Sequence, residues 1–89
     1  VKIAVFDTYV QRPDGRTMHF DILVQDDPAS RAMEVVFAHG RRYLATKGIQ
    51  DASLSAQEYR FCHIETAPPA VEQDVALNGF AIIEMANCD

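Results

Sequence analysis

Three stretches of this chain carry side chains able to do chemistry. They are Asp7 and Tyr9 in Lys2–Val10 (KIAVFDTYV), His19 and Asp21 in Arg16–Gln25 (RTMHFDILVQ), and the run Cys62-His63-Ile64-Glu65. Two carboxylates set opposite each other on paired strands repel, and shared burial raises the pKa of one of them. Such a pair suits a place beside a cation or one where a proton is shared. With His19 as base or ligand, Asp7, His19 and Asp21 fit a general acid/base or a metal-binding cluster. The competing reading is a solvated face whose charges are separated by strand twist and water, because structural clusters also perturb pKa values.

The third stretch bears on the same question. Adjacent residues of a regular strand point to opposite faces, so Cys62 and His63 cannot both ligate one metal from it, whereas His63 and Glu65 share a face. If Cys62 and Ile64 face the core, then His63 and Glu65, with Tyr59 and Phe61, join Asp7, His19 and Asp21 on the other side. The candidate binding cluster is then Asp7, Tyr9, His19, Asp21, His63 and Glu65. His19, His63 and Asp21 are its metal candidates, and nitrogen and oxygen ligands of this kind suit zinc, manganese or iron. The spacing matches no established metal signature. The opposite facing, with Phe61 in the core, fits the pattern nearly as well.

The two thiols read differently. Cys62 is expected to be a small buried hydrophobe, since a mid-strand position supplies neither the cation nor the helix N-terminus that activates a thiolate. Cys88 is expected in a frayed, exposed tail, open to oxidation or pairing between chains. The sequence contains no C-x-x-C, G-x-G-x-x-G, Walker loop, H-E-x-x-H or G-x-S-x-G motif, and it specifies no cofactor.

These residues need elements to hold them. Lys2–Val10 and Arg16–Gln25 are rich in β-branched and aromatic residues and read as strands. Between them, Pro13 presets φ for the first turn position and Gly15 can take φ > 0, which predicts a three-residue hairpin loop with Arg12 opposite Arg16. That register sets Val10 opposite Met18, Thr8 opposite Phe20, Phe6 opposite Ile22 and Ala4 opposite Val24. One face is then almost wholly apolar. The other carries Ile3, Val5, Asp7 and Tyr9 with His19, Asp21 and Leu23, so Asp7 meets Asp21 and Tyr9 meets His19. A slip of one residue would carry Asp7 and Thr17 into the core.

Asp27-Pro28 has N-cap and first-turn character, and apolar or small residues from Ala29 to Leu44 recur at helical spacing. Gly40 lies within that stripe, as expected where another backbone passes close. Gly48 can end the helix, with Ile49 packing back. Gln50–Ala56 reads as a loop, with a capping-box pattern starting at Ser55. Tyr59–Glu65 is the third strand, Pro68–Asn78 a second helix closed by Gly79, and Phe80–Met85 the last strand. The expected fold is a single α+β domain over residues 1–89, in the order ββαβαβ. The short connections of the last βαβ unit favour a parallel pair, hence a four-stranded mixed sheet with two helices packed on one face.

Composition narrows the function. The net charge is −5 over 89 residues, which argues against nucleic-acid binding. Arg41, Arg42 and Lys47 cluster near a helix end, where cations complement the dipole. No apolar run approaches the ~20 residues of a membrane span, and no signal-peptide pattern opens the chain, so a cytoplasmic location without a membrane partner is expected. His39 reads as a partly exposed residue on the first helix.

The stretches KIAVFDTYV, MHFDILV and FCHIE, in this order and spacing, resemble a small bacterial family, domain of unknown function number 2024. The likeness extends to Asn78-Gly79-Phe80 and Cys88, and its motif-bearing residues here are Asp7, Thr8, Tyr9, His19, Phe20, Asp21, Cys62 and His63. It implies a small α+β protein and carries over no catalytic residue. The function expected on these grounds is a non-enzymatic binding or interaction module, a homodimer, using the half-apolar face of Ile3, Val5, Tyr9 and Leu23 as its contact surface. The alternative is a small metal-dependent or acid/base enzyme built on Asp7, His19, Asp21 and His63.

Overall fold

The computed structural model describes residues 1–49 and 57–89. The loop expected over Gln50–Ala56 and the capping pattern starting at Ser55 lie outside the described residues. The elements run β1 (Lys2–Gln11), β2 (Thr17–Gln25), α1 (Met33–Thr46), β3 (Gln57–Thr66), α2 (Pro69–Asn78) and β4 (Ala81–Ala86). No helix among the described residues is long and apolar enough to cross a membrane.

The hairpin forms in the expected register, with Ala4 opposite Val24, Phe6 opposite Ile22, Asp7 opposite Asp21 and Tyr9 opposite His19. Its loop closes through Arg12 N–H donating to the Arg16 carbonyl at 2.8 Å, with Gly15 at φ +89°. Ala4, Phe6, Val10, Met18, Phe20, Ile22 and Val24 form the core face, packed against Val36, Tyr43 and Leu44 of α1.

The remaining topology departs from expectation. The sheet is antiparallel throughout, in the order β3-β1-β2-β4, not mixed. The helices lie on opposite faces, not one: α2 covers Ile3, Val5 and Leu23 with Val71 and Val75. Lengths explain the first difference. A parallel βαβ return needs a helix that runs back along the strand. The ten residues of β3 span ~33 Å, whereas the ten of α2 reach only ~15 Å. That reach matches the ~14 Å between the outer strands of a four-stranded sheet. So α2 crosses the sheet at one end, from Thr66 (opposite Lys2) to Ala81 (opposite Leu23), and β4 runs antiparallel to β3.

Three local expectations also shift. The segment capped by Asp27 is a single turn, in which Asp27 Oδ1 accepts the Ser30 N–H at 2.8 Å, and α1 starts only at Met33. Gly40 accommodates a ring, not a backbone: a Cβ there would sit 2.6 Å from Tyr59 Cε1. The tail is clasped, not frayed. Arg12 Nη1 donates to the carbonyls of Asn87 (2.7 Å) and Asp89 (2.9 Å), and Cys88 is buried with its thiol 3.3 Å from the His19 carbonyl.

Candidate functional site

Among the described residues, the face that α2 covers at one end carries no helix at the other. Side chains alternate along β1 and β2, so Ile3 and Val5 under the helix continue on the same side into Asp7 and Tyr9, and Leu23 into Asp21 and His19. This half-buried end holds the cluster. The Tyr9 ring stacks on the His19 imidazole at 4.3 Å between centroids, 12° from parallel, which fixes the plane of the imidazole. From behind, the Cys88 thiol holds the His19 carbonyl.

His19 Nε2 then lies 3.5 Å from Asp7 Oδ1 and 3.7 Å from Asp21 Oδ1. Both separations are long for a hydrogen bond. His19 Nε2 and Asp21 Oδ1 are shielded from solvent and lack a hydrogen-bond partner. One donor atom from each of Asp7, His19 and Asp21 falls within 4.8 Å of the others. Ligands held ~2.0–2.1 Å from a zinc ion at tetrahedral angles stand ~3.3 Å apart. The two imidazole–carboxylate separations therefore exceed that spacing by only a few tenths of an ångström.

The electrostatics agree. Burial, then the neighbouring Asp7 carboxylate, pushes Asp21 up to about 6. Asp7 is held below its ordinary value, first by a hydrogen bond from Asp21, with further help from His19 and the Cys62 thiol. Facing acids split in this way, one carboxyl pushed up and the other held down, so that Asp21 carries the proton below about pH 6.

β3 contributes by an irregularity. Val5 pairs with His63 but Phe6 with Phe61, which leaves Cys62 unpaired in a β-bulge. Both expectations for this strand therefore hold in part. His63 and Glu65 share the cluster face opposite Val5 and Ile3, while Tyr59, Phe61 and Ile64 face the α1 side. The expectation that Cys62 and His63 must point apart is overturned, because the bulge turns both to one side and brings Cys62 Sγ to 3.1 Å from His63 Nδ1. Cys62 is consequently exposed, not a core hydrophobe. Partial desolvation, then the nearby Asp7 carboxylate, raises its pKa.

Of the residues singled out in the sequence, Asp7, Tyr9, His19 and Asp21 meet directly. His63 lies against Cys62 beside them, and Glu65 sits 3.4 Å from His63 Nε2. Sequence reasoning missed the bulge at Cys62, and Tyr59–Glu65 carries no glycine or other signal that would have located it. The proposed apolar contact surface is also corrected, since Ile3, Val5 and Leu23 are at most 2% exposed beneath α2. His39 is stacked on Phe80 at 4.2 Å, away from the cluster.

A family model described as a domain of unknown function, DUF2024, matches residues 1–85. No curated protein matches the chain. Among solved structures, the chain is similar to protein NE1680 from Nitrosomonas europaea, a structural genomics target determined by NMR. The two share 35% identity over 100% of both chains, with a TM-score of 0.80.

Proposed function

This chain belongs to the DUF2024 family, and we propose that it is a binding module whose ligand is a divalent transition-metal cation held by Asp7, His19 and Asp21. The observation that carries this reading is the shielded His19 Nε2, without a hydrogen-bond partner, 3.5 and 3.7 Å from oxygens of two facing carboxyls. A cation would accept the imidazole lone pair and offset the mutual repulsion of the two acids. A cytoplasmic setting belongs to this reading, in which Cys62 and Cys88 act as free thiols. The same groups would serve a metal-dependent or acid/base reaction, but a reaction also requires a substrate site, so binding is the simpler assignment. The test is calorimetric titration with zinc. One site per chain is expected, lost in His19→Ala and Asp21→Ala. Wild-type protein that takes up no zinc, or variants that bind as the wild type does, would contradict it.

A second reading, self-association, is favoured by a different surface from the one first expected. Phe61 (44% exposed), Ile64, Phe37 and Met33 lie exposed along edge strand β3 and the adjoining flank of α1. Apolar side chains beside an unpaired strand edge invite a second copy. Light scattering after size exclusion should give a dimer that Phe61→Asp converts to monomer. A wild-type monomer at high concentration would rule this out.

A further inference from the structure

β3 carries a second group of reactive side chains, distinct from the three donors grouped at Asp7, His19 and Asp21. The Cys62 sulfur lies 3.1 Å from His63 Nδ1, and Glu65 Oε2 lies 3.4 Å from His63 Nε2. Thiol, imidazole and carboxylate thus follow one another, each against the next. A nucleophile, its base and the group that orients the base are set in this order. The Glu65 carboxylate favours the tautomer with its hydrogen on Nε2, which leaves the Nδ1 lone pair to the thiol. Neighbours on a regular strand point apart, and the bulge at Cys62 is what lets these two meet. The group is also within reach of solutes. Cys62 is exposed, and the His63 and Glu65 side chains are 50% and 47% exposed.

The surroundings narrow the chemistry. Desolvation, then the carboxylates of Asp7, Asp21 and Glu65, raise the pKa of the Cys62 thiol and keep it protonated at neutral pH. Its sulfur therefore needs a base that takes the proton as a substrate arrives. Acyl transfer would also need donors for an oxyanion. Exchange with a disulfide needs only an accessible sulfur with its base beside it. Arg60 stands opposite Asp7, but the carboxylates outweigh it, and the chain as a whole carries −5. A positively charged disulfide suits such surroundings better than an anionic one.

Independently of the cation reading above, we propose that Cys62, with His63 as its base, is a thiol–disulfide exchange site that forms a mixed disulfide with small, positively charged disulfides. The thiol proton passes to His63 Nδ1, and the Cys62 sulfur bonds through its electron pair to one sulfur of the disulfide. The old sulfur–sulfur bond breaks, and the leaving thiolate takes the proton back from Nδ1. Cys62 is oxidised, and the small disulfide is reduced to one free thiol. Glu65 is a positioning residue, acting through the imidazole.

The test uses the full chain, reduced, freed of reductant and held with a chelator. It is mixed with cystamine, and mass spectrometry with peptide mapping follows the adducts in time. The wild type should take one adduct per chain, on Cys62, with buried Cys88 untouched. Cys62 should react faster in the folded chain than in the urea-unfolded one. His63→Ala should slow the reaction at least ~10-fold, and so should His63→Gln, which keeps a hydrogen-bonding group but no base. The preference for cystamine over the anionic disulfide of glutathione should shrink at high salt. A preference that salt leaves unchanged would overturn the charged class of substrate. Either histidine variant reacting as the wild type does would overturn the exchange site itself. Loss of fold in a variant would show as a second adduct, on Cys88. The wild type alone then decides, because a folded Cys62 no faster than the unfolded one contradicts the proposal.

Discussion

The two ends of one sheet face differ more than its two sides do. At one end Ile3, Val5 and Leu23 are sealed beneath Val71 and Val75 of α2. A few residues along the same strands, in the same register, Asp7, Tyr9, His19 and Asp21 lie outside the group that α2 covers and, among the described residues, have no helix above them. Backbone geometry is common to both ends. What changes is the reach of a ten-residue helix that crosses the sheet and does not run along it. The dry end stabilises by burying apolar area, and the open end keeps polar groups whose mutual arrangement costs stability. On the reading proposed above, the acids stay together because a cation would hold them.

The comparison breaks most easily at Leu23. Leu23→Asp places an unpaired charge under α2 and should destabilise the domain by about 3–5 kcal/mol, read from the urea midpoint. Asp21→Leu, next but one along the same strand and face, should cost far less, because it removes a carboxylate already facing another. Equal losses for the two would mean that the ends do not differ.

A smaller effect sharpens the electrostatic half. The Asp21 carboxyl titrates near 6 in the folded chain against 3.8 as its ordinary value. A raised folded pKa means that its stabilisation is fully present below pH 3.8 and is lost as pH rises through about 6. With a chelator present, Asp21→Asn should therefore be more stable than the wild type at pH 7. The difference should be about 1–2 kcal/mol, discounted because Asp7 is held low by the same contact, and it should vanish toward pH 3.8. A variant less stable than the wild type at pH 7 would reverse the assignment of strain to this pair.

The smallest effect separates the lid from the site. Gly79 closes α2 at φ +86°, and an added Cβ meets nothing nearer than His39 Cε1 at 3.8 Å. Gly79→Ala should cost only the left-handed backbone penalty, about 1 kcal/mol, in thermal unfolding, with zinc affinity unchanged. A parallel loss of affinity would tie the cluster to α2.

How much of this was legible in the sequence follows from which forces are local. The hairpin register could be read because Pro13-Asp14-Gly15 sets the turn and a one-residue slip would bury Asp7. The meeting of Asp7 with Asp21 and of Tyr9 with His19 followed from it. Strand direction is not legible from the short connections, which favour a parallel return, because the length of α2 against that of β3 forbids one. The facing of β3 was undecided for a physical reason. Phe61 and Ile64 on one side, and His63 and Glu65 on the other, satisfy no single alternation, and the conflict is resolved by a bulge at Cys62 that depends on the neighbouring strand. The burial of Cys88 likewise rests on contacts made by Arg12 and His19, far away in sequence.

The most direct measurement of the central claim is the nitrogen-15 resonance of His19 Nε2 during a zinc titration of the reduced protein. A large shift of that nitrogen, saturating at one zinc per chain, with His39 unmoved, is the predicted result. Zinc added to excess with His19 Nε2 unshifted would contradict it.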